Sequence, residues 1–173
     1  MRHQDIAASP KGRDRRSIER SDEVKKLVSR QLKRFPELLK CLWVENPVIR
    51  MRAGGTAEKV TLAHPELLNP HKQELLGLLV EAEQIELRWH LALLVPRLKL
   101  SGQEKARAAA AFERYLEDRS SIVKTFALQG LADLGRQDAR LRELARRTIE
   151  ESLRTGTAAM KARARKLLKE LQN

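Results

Sequence analysis

The sequence predicts an all-α solenoid of about four helix pairs with an N-terminal capping helix. A twelve-residue amphipathic pattern returns four times at nearly constant spacing, and helix-start and helix-stop residues bracket its copies. No segment alternates with period two over a useful length, so strands are not expected. Six prolines and eight glycines in 173 residues leave room for long helices. Hydrophobic content of 42% supports a core, and with only 3% aromatic residues that core must be aliphatic.

The elements follow in chain order. Residues 1–17 are polar and charged and are expected to form a disordered basic arm. Residues 18–34 carry Val24, Leu27, Val28 and Leu32 at helical spacing, which predicts the capping helix. Residues 35–173 hold the repeats. Their core segments are IRMRAGGTAEKV from Ile49, LRWHLALLVPRL from Leu87, VKTFALQGLADL from Val123 and MKARARKLLKEL from Met160, with starts 38, 36 and 37 residues apart. Position one is apolar each time (Ile49, Leu87, Val123, Met160) and position five is small or apolar (Ala53, Leu91, Ala127, Ala164). Position twelve is again apolar (Val60, Leu98, Leu134, Leu171). Positions 1, 5, 8, 9 and 12 share one side of a helix. Position two is basic throughout: Arg50, Arg88, Lys124, Lys161.

A first helical stretch precedes each copy: FPELLKCLWV, HKQELLGLLVEA, EKARAAAAFERYLED and LRELARRTIEESL. Asn46-Pro47 and Asn69-Pro70 read as N-cap plus proline at the first helical position. Ser101 to Glu104 has the form of a capping box. Gly135 and Gly156 read as helix-ending glycines.

Paired helices at a period near 37, with an apolar–basic step opening the second helix, resemble HEAT repeats of the armadillo-like superfamily. The resemblance covers roughly residues 35–171 and is most specific in DRSSIVKTFALQGLADLG, through Asp118, Val123 and Lys124. It implies a right-handed α-solenoid, with the second helices contributing to a concave surface. It also implies that Arg50, Arg88 and Lys124 bond an acidic side chain or turn carbonyl of a neighbouring repeat; the alternative reading of these residues is a row of cations along the inner surface. The last pair departs from the pattern, with Thr155 at the acidic position.

The net charge of +12 is unevenly placed. Residues 1–34 and residues 136–173 each hold 11 basic and 5 acidic side chains, and residues 35–135 hold 13 of each. Disordered basic arms can follow a phosphate backbone or an acidic protein surface. In the last repeat, Lys161, Arg165 and Lys169 share one stripe with Lys166 beside it. This stripe reads either as the polar cap a terminal repeat needs or as an anion-binding surface. Trp89 and His90 lie just outside the core arc. They either pack on the adjacent second helix or, with Leu93 and Leu128, build an exposed apolar patch for a partner.

Catalysis finds little support. His3, His64, His71 and His90 lack close metal-ligand spacing. HEAT-like alkylpurine DNA glycosylases combine an aromatic cleft with a catalytic acid, whereas Asp133 here lies outside any aromatic cluster in the sequence. HEAT-type hydroxylases carry repeated His-Glu dipeptides, which this chain lacks. The expectation is a non-catalytic scaffold or adaptor for a protein partner, with no cofactor and no small-molecule substrate. The alternative is nucleic-acid or polyanion binding through the basic ends. One cysteine, Cys41, excludes an internal disulfide. The lack of a signal-like or membrane-spanning run points to a cytoplasmic protein without membrane association.

Overall fold

The computed structural model describes residues 32–172, and among them all regular structure is helical. The expected arm and nearly all of the expected capping helix lie outside the described residues; the described remnant, Leu32–Arg34, is a 3-10 turn. The chain divides into two compact units between Pro70 and His71.

In the first unit, α1 (Phe35–Lys40) runs on into a 3-10 turn, Cys41–Trp43, and packs against α2 (Pro47–Thr61). Asn46 caps α2 as its sequence indicates, its carboxamide oxygen accepting from the amides of Val48 at 3.0 Å and Ile49 at 3.3 Å. Pro47 follows at the first helical position, where no amide hydrogen is needed. Phe35, Leu38, Leu39 and Leu42 are buried, as are Ala53, Ala57 and Val60 of α2.

The Asn69-Pro70 expectation is corrected. Pro70 sits inside a 3-10 helix, Pro65–His71, and the next α-helix starts at Lys72 without a side-chain cap. Proline's fixed φ suits a 3-10 turn as well as a first α-turn, so the dipeptide alone does not choose between them.

The second unit holds three helix pairs: α3 (Lys72–Glu81) with α4 (Ile85–Leu94), α5 (Gly102–Leu116) with α6 (Ser121–Gln137), and α7 (Ala139–Thr155) with α8 (Ala158–Gln172). They coincide with the last three repeats. Helix α4 is shorter than its twelve-residue segment because Pro96 cannot donate an α-helical bond; the chain continues as a 3-10 turn, Val95–Arg97. Helix α5 starts on the predicted capping box, with the Ser101 hydroxyl accepting from the Glu104 amide and the Glu104 carboxylate accepting from the Ser101 amide.

Helix α6 packs against α4, α5, α7 and α8, so most of its circumference is covered. Val123, Ala127, Leu131 and Leu134 (positions 1, 5, 9 and 12) are all buried, which places the core where the repeat register put it. Gly130 marks the closest approach to α4: a β-carbon there would stand 2.9 Å from the Ala92 carbonyl oxygen and 2.8 Å from the Phe112 ring.

Gly135 does not end α6, another correction. It lies within the helix where α7 comes near, and a β-carbon would meet Ala145 Cβ at 3.0 Å. Asp138 makes the junction instead: its amide closes α6 onto the Leu134 carbonyl, and its carboxylate caps α7 through the Arg140 amide at 3.0 Å. Gly156 does follow α7 as expected, but its φ of −68° is ordinary. Room decides there, since a β-carbon would collide with the Ser152 carbonyl. Among the described residues, no helix is long and apolar enough to cross a membrane.

Candidate functional site

Positions three and four of the second helices border the core arc, and the second unit uses them to build a row across three helices. Trp89 of α4 lies over Phe126 of α6, ring centroids 5.2 Å apart and planes within 26°. The Arg163 guanidinium of α8 covers the Phe126 ring at 5.4 Å. All three side chains are half-buried. His90 backs the row, its ring centroid 3.5 Å from that of Trp89, and is itself buried. The arrangement combines aromatic stacking with a cation–π contact, and it presents an apolar surface with one fixed charge.

From Arg163 a polar chain runs along α6. Arg163 donates to the Gln129 side-chain oxygen at 2.9 Å, and the Gln129 amide donates to Asp133 at 2.9 Å. Arg136 closes the chain, ion-paired to Asp133 and, at 3.0 Å, to Glu170. Burial pushes the Asp133 carboxyl above its ordinary range; the Gln129 bond and the charges of Arg136 and Arg97 pull the other way without cancelling it. A carboxylate held against its own desolvation beside an aromatic row is the kind of group that marks functional surfaces.

The predicted apolar patch is therefore rearranged. Trp89 belongs to the row, and Leu93, one turn along α4, is half-buried. Leu128 does not belong to it. Fully buried, it joins Ala132, Ile149, Ala164 and Leu167 in a core cluster, because α6 is enclosed by four helices. Asp133, read as remote from aromatic residues, is joined to Phe126 and Trp89 through Gln129 and Arg163. Phe126 and Arg163 occupy the same repeat position, 37 residues apart, and that recurrence was their one signal in the sequence.

The basic position-two residues have divergent surroundings. Arg50 donates to the Glu45 carbonyl at 3.4 Å. Arg88 makes the full set of contacts. Its Nε donates to the Ala82 carbonyl at 2.7 Å, its guanidinium is ion-paired with Asp118 of the next pair, and it lies 5.5 Å from the Tyr115 ring centroid. Tyr115 in turn donates its hydroxyl to the Leu79 carbonyl at 2.6 Å. Lys124 instead faces a cavity of about 730 Å³ lined by the end of α5 and parts of α6, α7 and α8.

On α8, Lys161 is half-buried and Arg165, Lys166 and Lys169 are exposed. Lys166 stands 3.9 Å from Glu170, while Lys161, Arg165 and Lys169 have no ion-pair partner among the described residues. His64 and His71 pair with Glu66 and Glu74, and no three His, Cys, Asp or Glu side chains converge on a metal position among the described residues.

Compared with protein-family models, curated proteins and solved structures, the chain finds no match.

Proposed function

We propose that this chain is a non-catalytic HEAT-like scaffold whose repeats stack as a right-handed α-solenoid, and that it holds a protein partner on its second helices. Successive second helices in contact, α4 with α6 and α6 with α8, support the solenoid part of the reading. The observation that carries the binding part is the Trp89–Phe126–Arg163 row ending at Asp133. Tryptophan and arginine dominate the energetics of protein interfaces, particularly when fixed in place before binding. Affinity purification from native extract, with nuclease, tests it. A partner retained by the wild type should be lost from a Trp89→Ala, Arg163→Ala double variant whose helical circular dichroism is unchanged. Equal recovery with both proteins would overturn the assignment of this face.

A second reading rests on Lys161, Arg165 and Lys169: a nucleic-acid or polyanion grip by α8 with the basic N-terminal arm. Each neutralised phosphate on duplex DNA contributes about −0.9 to the slope of log affinity against log salt. Changing these three residues together to glutamine should flatten that slope by about three contacts' worth. The scaffold reading expects negligible nucleic-acid binding at physiological salt. Micromolar binding that disappears in the triple variant would favour the grip.

A further inference from the structure

One basic position-two residue draws its carboxylate partner from the following pair. Asp118, five residues before Val123, supplies it for Arg88. The residue five before Met160 is Thr155, so Lys124 receives a hydroxyl position where Arg88 receives a carboxylate. No carboxylate reaches ion-pair distance of the Lys124 amine among the described residues, and the side chain borders the cavity instead.

Two of the acids bordering that cavity are already engaged. Glu151 is ion-paired with Arg154 and accepts from the Thr155 hydroxyl at 3.1 Å; Glu150 accepts from Arg146 at 2.6 Å. Glu117, exposed at the rim, has no such bond among the described residues. The positive end of α8 lies on the same cavity: Thr157 and Met160 line it, and the Thr157 hydroxyl accepts from the Met160 amide at 3.3 Å. The start of α6 is tied alongside, since the Ser121 and Thr157 hydroxyls are 2.7 Å apart. An unpaired ammonium group and a helix N-terminus thus converge on one space of the size used for small ligands or a few peptide side chains.

We infer that this cavity is a carboxylate-binding site, in which an acidic group from outside the chain takes beside Lys124 the place Asp118 takes beside Arg88. A singly charged carboxylate suits it better than a phosphate dianion, because the lining carries as many carboxylates (Glu117, Glu150, Glu151) as cations (Lys124, Arg147, Arg154). None of the lining residues belongs to the Trp89–Asp133 row, so this inference and the scaffold assignment can fail separately.

Amide chemical shifts of the full chain, titrated with propionate, N-acetylglutamate amide and inorganic phosphate, test the inference. The carboxylates should move the Lys124, Thr157 and Met160 signals saturably. Response to propionate alone would identify a free small acid, and response to the glutamate derivative an acidic peptide. Lys124→Gln should weaken the interaction about tenfold, the loss of one charge-assisted bond. Thr155→Asp should abolish it, because its own carboxylate would then compete for Lys124. Absence of saturable shifts in the wild type, equal binding by both variants, or tighter binding of phosphate than of either carboxylate would overturn the inference.

Discussion

Removing the Arg88 guanidinium would leave Asp118, whose side chain is 2% exposed, without its ion-pair partner. Breaking a buried pair from one side costs more than the pair contributes, because a charge is left without compensation. Arg88→Ala should therefore lose about 3 kcal/mol in chemical unfolding, near the low end for such changes because the arginine itself is partly solvated. Leu131→Ala removes a side chain only 1% exposed and should cost about 2–5 kcal/mol. Asp133 runs in the opposite direction. A carboxyl whose folded pKa lies above its ordinary 3.8 contributes stability below that value and loses it as pH rises through the folded pKa. Asp133→Asn should thus be at least as stable as the wild type at pH 7, with its relative advantage shrinking as pH falls through the folded pKa toward the ordinary 3.8. A denaturant midpoint that drops at pH 7 in this variant would show that Asp133 is there for stability. The importance of Leu131 was visible in the repeat register. That of Arg163 and Asp133 was not, since their connection passes through Gln129 and spans residues from different helix pairs with no local pattern to reveal it.

At the scale of the helix, spacing and capping residues were informative and single glycines were not. Asn46 and Ser101 cap where their neighbours indicated, because an N-cap is settled within four residues. Gly135 was misleading because its role is set by Ala145 on another helix, and nothing beside it in the chain records that. Gly130 is a sharper case. Alanine there would gain about 1 kcal/mol of helix propensity but would press on the Ala92 carbonyl and the Phe112 ring, and overpacking of this kind costs about 1–3 kcal/mol. Gly130→Ala should lower the melting temperature despite the better helix former. The helix starts also titrate. Ser101 and Lys72 hold the Glu104 carboxyl down at about 2, and Arg140 holds Asp138 at about 2. Depressed carboxyl groups stabilise above their ordinary range and lose that contribution as pH falls toward the folded value. Melting temperatures should accordingly decline between about pH 4.5 and pH 2, with a shallower decline in a Glu104→Gln, Asp138→Asn variant.

Across the whole molecule, the four helix pairs were legible because periodicity accumulates: one apolar position says little, but the same position filled four times at a spacing near 37 does. Enclosure was harder to foresee. Leu128 looked available for a surface because a helical wheel shows one helix alone, whereas α6 has neighbours around most of its circumference. Charge behaves in the same additive way as periodicity, and the basic excess of residues 136–173 falls on α7 and α8 and the end of α6. Within α7 much of it is internally compensated, with Arg146 joined to Glu143 and Glu150, and Arg154 to Glu151. On α8, Lys161, Arg165 and Lys169 have no ion-pair partner among the described residues.

Tyr115 gives the protein a built-in optical gauge. It is the chain's one tyrosine, and its hydroxyl is committed to the Leu79 carbonyl where the second and third repeats meet. Burial pushes its phenol well above the ordinary 10, so the protonated ring favours the folded state, and that stability is lost as pH rises past the ordinary value. In alkaline solution the ultraviolet signature of tyrosinate should stay absent while the contact is closed, then emerge together with the loss of ellipticity. A smooth titration centred near pH 10 with helicity intact would mean that the hydroxyl was never held. Tyrosinate absorbance thus times the parting of two neighbouring repeats without any label.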